Sequence, residues 1–295
     1  MSDDCPTSFL NPNTHHEYDM VLVNMSDFSI FLGIAVTLGS LISFVPQVMK
    51  IYKKRSILGI NFFWVFFYTS QQFCRASNTV ILNLPRFLAC SQVGFKKCFP
   101  SLIVSIQMVG LYVMFFGVPL LYILFSNDYE GSNSTLDIKK RRKNQRIIKV
   151  LYILIMCYTI SVVGISCFSI SFQGICSNIA RNLARVLGYF SGFFVLFQWL
   201  PQIYSTYKFK GSGSISIITL AIQAPGGIIN LIFMIFISKE QFSTWISIFI
   251  NTSQTLILLC MLLYYNFKSK FKKILEKKKK VNDHTPLLSP EYTVQ

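Results

Sequence analysis

Gln71, Arg75 and Asn78 follow one another at i, i+4 and i+7 within a largely apolar run, so a helix through them carries all three on one face. Amides supply donors and an acceptor, and a guanidinium supplies a permanent positive charge with a fork of donors suited to a carboxylate. Such a face could hold a polar solute. An arginine at the centre of a membrane helix costs about 2.5–3.5 kcal/mol on insertion scales, so Arg75 needs a partner or a route to water. It stands roughly 10 Å from the nearer end of its predicted span, where snorkelling relieves part of this cost.

Other polar side chains interrupt the apolar runs: Gln72, Gln107, Gln198, Gln223, Asn230, Asn251 and Gln254. Gln107, Asn230, Asn251 and Gln254 join Gln71, Arg75 and Asn78 as candidate solute-binding residues, with Tyr68, Tyr158 and Trp199 able to shape a pocket. The structural alternative stays open, because intramembrane amides also bond helix to helix at about 1 kcal/mol apiece, and aromatic residues in spans also serve packing or interface anchoring.

Acids follow a different distribution. None of the 12 Asp and Glu residues falls well inside a predicted span, and Asp27 and Glu240 stand only at edges. A path without a titratable carboxylate leaves both proton coupling and recognition of a cationic side chain without their usual group, and is compatible with facilitated movement of a neutral or anionic solute. Catalysis is not expected: His15, His16 and His284 lie in polar tails, and neither a nucleophile elbow nor a phosphate-cradling loop is present. The eight cysteines show no C-x-x-C spacing, so neither a metal nor a cofactor is expected. Cys90 and Cys98 could pair if their loop faces an oxidising lumen, but no spacing rule decides it.

The elements that must position these residues are membrane helices. Fifty-two per cent of the 295 residues are hydrophobic and 14% are charged, against about 25% charged in soluble domains. Seven stretches of roughly 20 residues or more can span a bilayer, near 28–49, 57–82, 100–125, 148–172, 183–206, 215–238 and 243–266. The net charge of +16 gathers in short runs beside them, with no zinc-finger or aromatic RNA-binding pattern. Anionic lipid, and not nucleic acid, is the expected partner of these bases.

Arg86, Lys96, Lys97, Arg181, Arg185 and Lys239 fall on one side of the membrane and Arg75 within a span, which leaves 21 of the 28 basic residues on the other side. The positive-inside rule then puts the amino terminus in the lumen and the carboxyl terminus in the cytosol. The first 27 residues lack the basic region and early apolar core of a cleavable signal peptide. Asn24, in Asn24-Met-Ser26, becomes an accessible glycosylation site, whereas Asn133-Ser-Thr135 is cytosolic and Asn251-Thr-Ser253 lies in a span.

The chain also repeats itself. FVPQVMKIYK ends the first span and WLPQIYSTYK the fifth; an ungapped offset of 155 sets Pro46 on Pro201, Gln47 on Gln202, Tyr52 on Tyr207, Lys53 on Lys208 and Ile60 on Ile215. The same offset sets Arg75 on Asn230, and an offset of 147 sets Gln107 on Gln254. With these doubled Pro-Gln motifs the sequence resembles the PQ-loop family, which includes cystinosin, basic amino acid exporters and, more distantly, the SWEET sugar carriers and the KDEL receptor.

The resemblance implies an all-α membrane protein of seven transmembrane helices in a three-plus-one-plus-three arrangement, two parallel three-helix repeats joined by a linker helix. The solute path is then expected between the halves near the bilayer midplane. Proline within a helix frees a carbonyl, and the adjacent glutamine can help satisfy it. Pro46, Gln47, Pro201 and Gln202 are therefore candidate hinges, with a static kink as the alternative. Pro225, in Ala224-Pro-Gly-Gly227, is a further bend, and Ser70 opposite it departs from the proline of SWEET carriers. The missing intramembrane aspartates depart from the cystinosin pattern.

The expected layout is a luminal segment 1–27, a first repeat 28–125, a basic cytosolic loop 126–147, a linker span 148–172, a second repeat 183–266 and a cytosolic tail 267–295. In that tail Asp283 precedes Leu287 and Leu288 with the spacing of an acidic dileucine signal, which resembles those read by clathrin adaptors and implies a lysosomal, vacuolar or endosomal membrane. The first functional expectation is a carrier of a small solute, an amino acid before others. A SWEET-like sugar carrier and a non-transporting receptor or recruiting scaffold are the alternatives.

Overall fold

The computed structural model describes residues 22–54, 62–125, 135–173, 178–209 and 217–283, and among them every regular element is a helix. They are α1 (Asp27–Lys54), α2 (Phe62–Leu82), α3 (Leu84–Val93), α4 (Phe95–Phe125), α5 (Thr135–Gln173), α6 (Asn178–Phe209), α7 (Ile217–Ile232) continued by a π-helical turn (Phe233–Ile237), and α8 (Phe242–Asp283). In hydrocarbon every backbone donor and acceptor must be satisfied within the segment, which only helices or closed barrels achieve.

Stretches long and apolar enough to cross a bilayer lie at Phe95–Pro119, Lys149–Phe172, Asn178–Lys208, Leu220–Ile237 and Phe242–Lys268. A shorter apolar stretch, Asp27–Ser43, lies in α1. The exception is α2, a 21-residue helix whose length is sufficient but whose polar side chains dilute its apolar character. The protein is an all-α membrane protein.

Three expectations are corrected. Residues 83–99, read as a loop, contain α3, which carries Pro85 in its first turn, where a missing N–H is harmless. Gly94 separates α3 from α4 with a φ of 90°, a conformation that suits glycine, and its N–H donates to the Cys90 carbonyl at 3.1 Å. Second, the basic loop 126–147 is helical from Thr135 onward, since its lysines and arginines are good helix formers and no glycine or proline interrupts them. Third, α8 runs through the lysine-rich start of the tail to Asp283 for the same reason. Leu287 and Leu288 lie outside the described residues.

Helices α1, α6 and α7 run on through Pro46, Pro201 and Pro225 respectively. Within the first half α4 packs against both α1 and α2; within the second, α8 packs against both α6 and α7. The halves meet where α2 lies along α6 and α1 against α7, while α5 touches α2, α4 and α6. One apolar cluster, with Phe73, Cys74, Val162, Ala184 and Leu187, joins α2, α5 and α6. Another, with Ile103, Met108, Phe233, Met234 and Ile248, joins α4, the π turn and α8. Outward, α5 exposes Ile153, Leu154, Ile160, Phe168 and Phe172, as a lipid-facing surface requires.

Candidate functional site

Buried polar side chains concentrate on α2. On α2, Thr69, Ser70, Gln71, Gln72, Arg75, Asn78 and Thr79 are all buried. Helices α2 and α6 run antiparallel: Phe67 meets Phe194 and Phe197 at ring-centroid distances of 6.2 and 5.8 Å, and Asn78 meets Ala184. That register sets Arg75 at the level of Leu187 and Gln71 at the level of Ser191.

Asn78 is saturated. Its Nδ2 donates to the Ala184 carbonyl at 2.7 Å and to Ser243 Oγ at 3.2 Å, and its Oδ1 accepts from Thr244 Oγ1 at 2.9 Å. One side chain thereby ties α2 to α6 and α8. The approach is possible because position 188 is glycine: a Cβ there would run into the Ser243 main-chain oxygen and lie 2.9 Å from Asn78 Nδ2. A second glycine contact joins the halves elsewhere, for a Cβ on Gly33 would lie 2.6 Å from Phe233 Cζ. Gly33 and Gly188 stand at the same offset of 155 as Asn78 and Phe233. The duplication thus reappears as matched interhelical contacts.

The remaining candidates divide. Gln107 donates to Ser40 Oγ at 3.0 Å within the α1–α4 pair. Asn251 accepts from Trp199 Nε1 at 2.8 Å, and Gln254 donates to the Leu196 carbonyl at 3.4 Å, both within the α6–α8 pair. Gln71, Arg75 and Asn230 are buried, and Gln71 Oε1, Arg75 Nε and Asn230 Oδ1 find no hydrogen-bond partner among the described residues. Among the described residues no hydrogen bond joins any two of these seven side chains. Pro201 and Pro225 are exposed on their helices, Gln202 is half-buried, and Asn24 is exposed just before α1.

Two features escaped the choice of sites. Gln198 is buried with both amide atoms unpartnered among the described residues, and its signal, an amide in an apolar helix one turn before Gln202, was present. The second is an ion pair: Arg86 Nη1 lies 3.0 Å from Glu240 Oε1, which also accepts from Ser238 Oγ at 2.9 Å. It bridges α3 to the turn before α8, beside the Cys90–Cys98 disulfide that fastens α3 to α4 across a Cα separation of 5.3 Å. Spacing could not reveal a pair 154 residues apart.

With Arg86 removed, Glu240 keeps its burial and loses its cation. Arg86→Ala is expected to lower the melting temperature in detergent by several degrees, for about 1–3 kcal/mol of unsatisfied polar burial. Adding Glu240→Gln should recover part of the loss, because a neutral amide tolerates the site. Equal melting temperatures for the single and double variants would mean that Glu240 feels no such burial.

Comparison with known proteins agrees with the internal offset. An uncharacterized protein of Schizosaccharomyces pombe (strain 972 / ATCC 24843), C4C5.03, is 24% identical over 256 residues, which cover 82% of each chain. The PQ loop repeat family matches residues 28–88 and, separately, residues 183–243. The two matched segments begin 155 residues apart, the spacing of the paired Pro-Gln motifs and of the paired glycine contacts. The chain thus carries two matches to the PQ loop repeat, one in each half.

Proposed function

We propose that the protein is a carrier of a small solute, an amino acid before others, working by alternating access in a lysosomal or vacuolar membrane. The observation that carries this reading is the matched pair of inter-half contacts, Gly33 with Phe233 and Gly188 with Asn78, within a chain that bears the repeat twice. Two like halves that touch through equivalent helices can rock against each other about a shared centre.

In this reading α1, α2 and α4 form one repeat and α6, α7 and α8 the other, with α5 as linker and α3 as a cap on the loop between the second and third spans. Pro46-Gln47 and Pro201-Gln202 are the hinges and Pro225 a further bend. The amino terminus with Asn24 faces the lumen, and the basic helix start of α5 and the tail face the cytosol, in accord with the bias of Lys and Arg. Asp283, Leu287 and Leu288 serve as a sorting signal for a clathrin adaptor, and the protein has no catalytic activity.

Purified full-length protein in liposomes tests the carrier reading against a broad panel of amino acids and sugars, with and without a pH gradient. Counterflow of at least one amino acid, independent of the gradient, is the expected result, because no Asp or Glu lies well inside a predicted span. Sugar flux in its place would favour the SWEET-like reading. Absence of all flux, with a stable cytosolic partner on residues 139–149 or the tail, would replace the carrier with a receptor.

A further inference from the structure

Arg75 is 8% exposed, and its Nε has no acceptor among the described residues. Nor does a carboxylate of the described residues answer its charge. Glu240 is held by Arg86 and Ser238, Asp27 opens α1, and Asp137, Glu276 and Asp283 occupy the basic extensions of α5 and α8. A buried guanidinium stays charged, and a bilayer interior penalises it unless an anion or water compensates.

The surroundings of Arg75 differ on its two sides. One turn away on α2, Asn78 has both amide N–H groups taken by α6 and α8 and its Oδ1 already engaged by Thr244. One turn the other way, buried Gln71 presents an Oε1 with no donor among the described residues. At the repeat-equivalent place on α7, Asn230 is likewise buried with an unpartnered Oδ1. Among these three side chains the unfilled atoms are thus one charged donor, Arg75 Nε, and two neutral acceptors, Gln71 Oε1 and Asn230 Oδ1.

We propose that Arg75 is an anion-holding centre, taking the carboxylate of a solute that is zwitterionic or anionic overall, with the Gln71 and Asn230 amide oxygens free to accept from the solute's N–H or O–H groups. This deepens the carrier reading and rests on it for the route by which the solute arrives. A forked guanidinium holds a carboxylate through two parallel donors, and a lysine supplies only a point charge. A solute whose only charge is positive is rejected.

The test uses purified full-length protein, thermal stabilisation as the binding readout, and neutral and acidic amino acids paired with their carboxamide derivatives, which lack the carboxylate. At least one free acid should stabilise the protein while its amide does not. Arg75→Gln should weaken that binding at least tenfold, and Arg75→Lys should weaken it less. Without ligand, Arg75→Gln should melt at or above the wild-type temperature, because it removes a buried charge that the described residues leave uncompensated; an arginine with a purely structural role would give the opposite.

Equal binding of acid and amide, unchanged binding by Arg75→Gln, no stabilisation by any free acid, or a lower ligand-free melting temperature for both variants would each overturn the assignment. Binding that needs Arg75 without any counterflow would remove the carrier and leave the anion site standing. Sugar counterflow unaffected by Arg75→Gln would remove the anion site and leave a carrier.

Discussion

Gly188→Ala is expected to lower the melting temperature of the purified protein by roughly 6–12 °C, far more than Gly33→Ala, which should cost roughly 2–4 °C. Overpacking a buried contact costs about 1–3 kcal/mol, and one kcal/mol is worth about 2–4 °C in a chain of this size. At position 188 the new methyl meets the main-chain oxygen of Ser243, which cannot rotate away, and it crowds Asn78 Nδ2. Helices α6 and α8 would have to separate and the Asn78 bonds lengthen together. At position 33 the obstacle is the outer edge of the Phe233 ring and the Ile103 methyl, which can shift by small side-chain movements. Thermal unfolding of both variants in the same detergent decides the matter. Similar losses would mean that α6 and α8 are not held at the separation described.

Asn78→Ala is the second large effect expected, a loss of about 2–4 kcal/mol of stability without ligand. Interhelical hydrogen bonds in membranes average about 0.6 and reach about 1.7 kcal/mol each, and Asn78 makes three of them while filling its site. Asn78→Asp should be worse. It keeps the acceptor toward Thr244 but sets a second oxygen against the Ala184 carbonyl, so that a buried acid has to remain protonated or suffer an unpaired charge. Melting temperatures in the order wild type, alanine, aspartate are the predicted outcome. Reversal of the last two would mean that water reaches the site. The contrast with Arg75→Gln separates the roles of two residues one turn apart: ligand-free stability falls when Asn78 is lost and holds when Arg75 is lost.

That separation was only half legible in the linear chain. The i, i+4, i+7 spacing of Gln71, Arg75 and Asn78 announced a shared helical face, and all three are indeed buried. Spacing treated them as equals, because it describes one helix. Gln107, Asn251 and Gln254 show the same limit, since each is a buried or half-buried amide engaged by a neighbouring helix. The pairing of Cys90 with Cys98 was open for a related reason: eight residues of separation permit a bridge, and the turn at Gly94 between α3 and α4 brings the two together.

Helix boundaries were misread where composition resembled a loop. Residues 84–93 mix proline, arginine and polar side chains, and residues 135–147 are mostly charged, yet both are helical. Polarity reports contact with water or headgroups, and backbone propensity is a separate quantity that lysine and arginine satisfy well.

By itself the sequence determined the membrane class, the helical content, the duplication at an offset of 155 and the absence of acids well inside the predicted spans. These follow from composition and from periods of a few residues, which each stretch of chain carries alone. Only the tertiary structure decided that Asn78 is spent on Ala184, Ser243 and Thr244, that Arg86 and Glu240 neutralise each other, and that Arg75 has no such carboxylate among the described residues. Satisfaction of a buried polar group is a property of its neighbours, and here those neighbours lie 106 to 166 residues away in the chain.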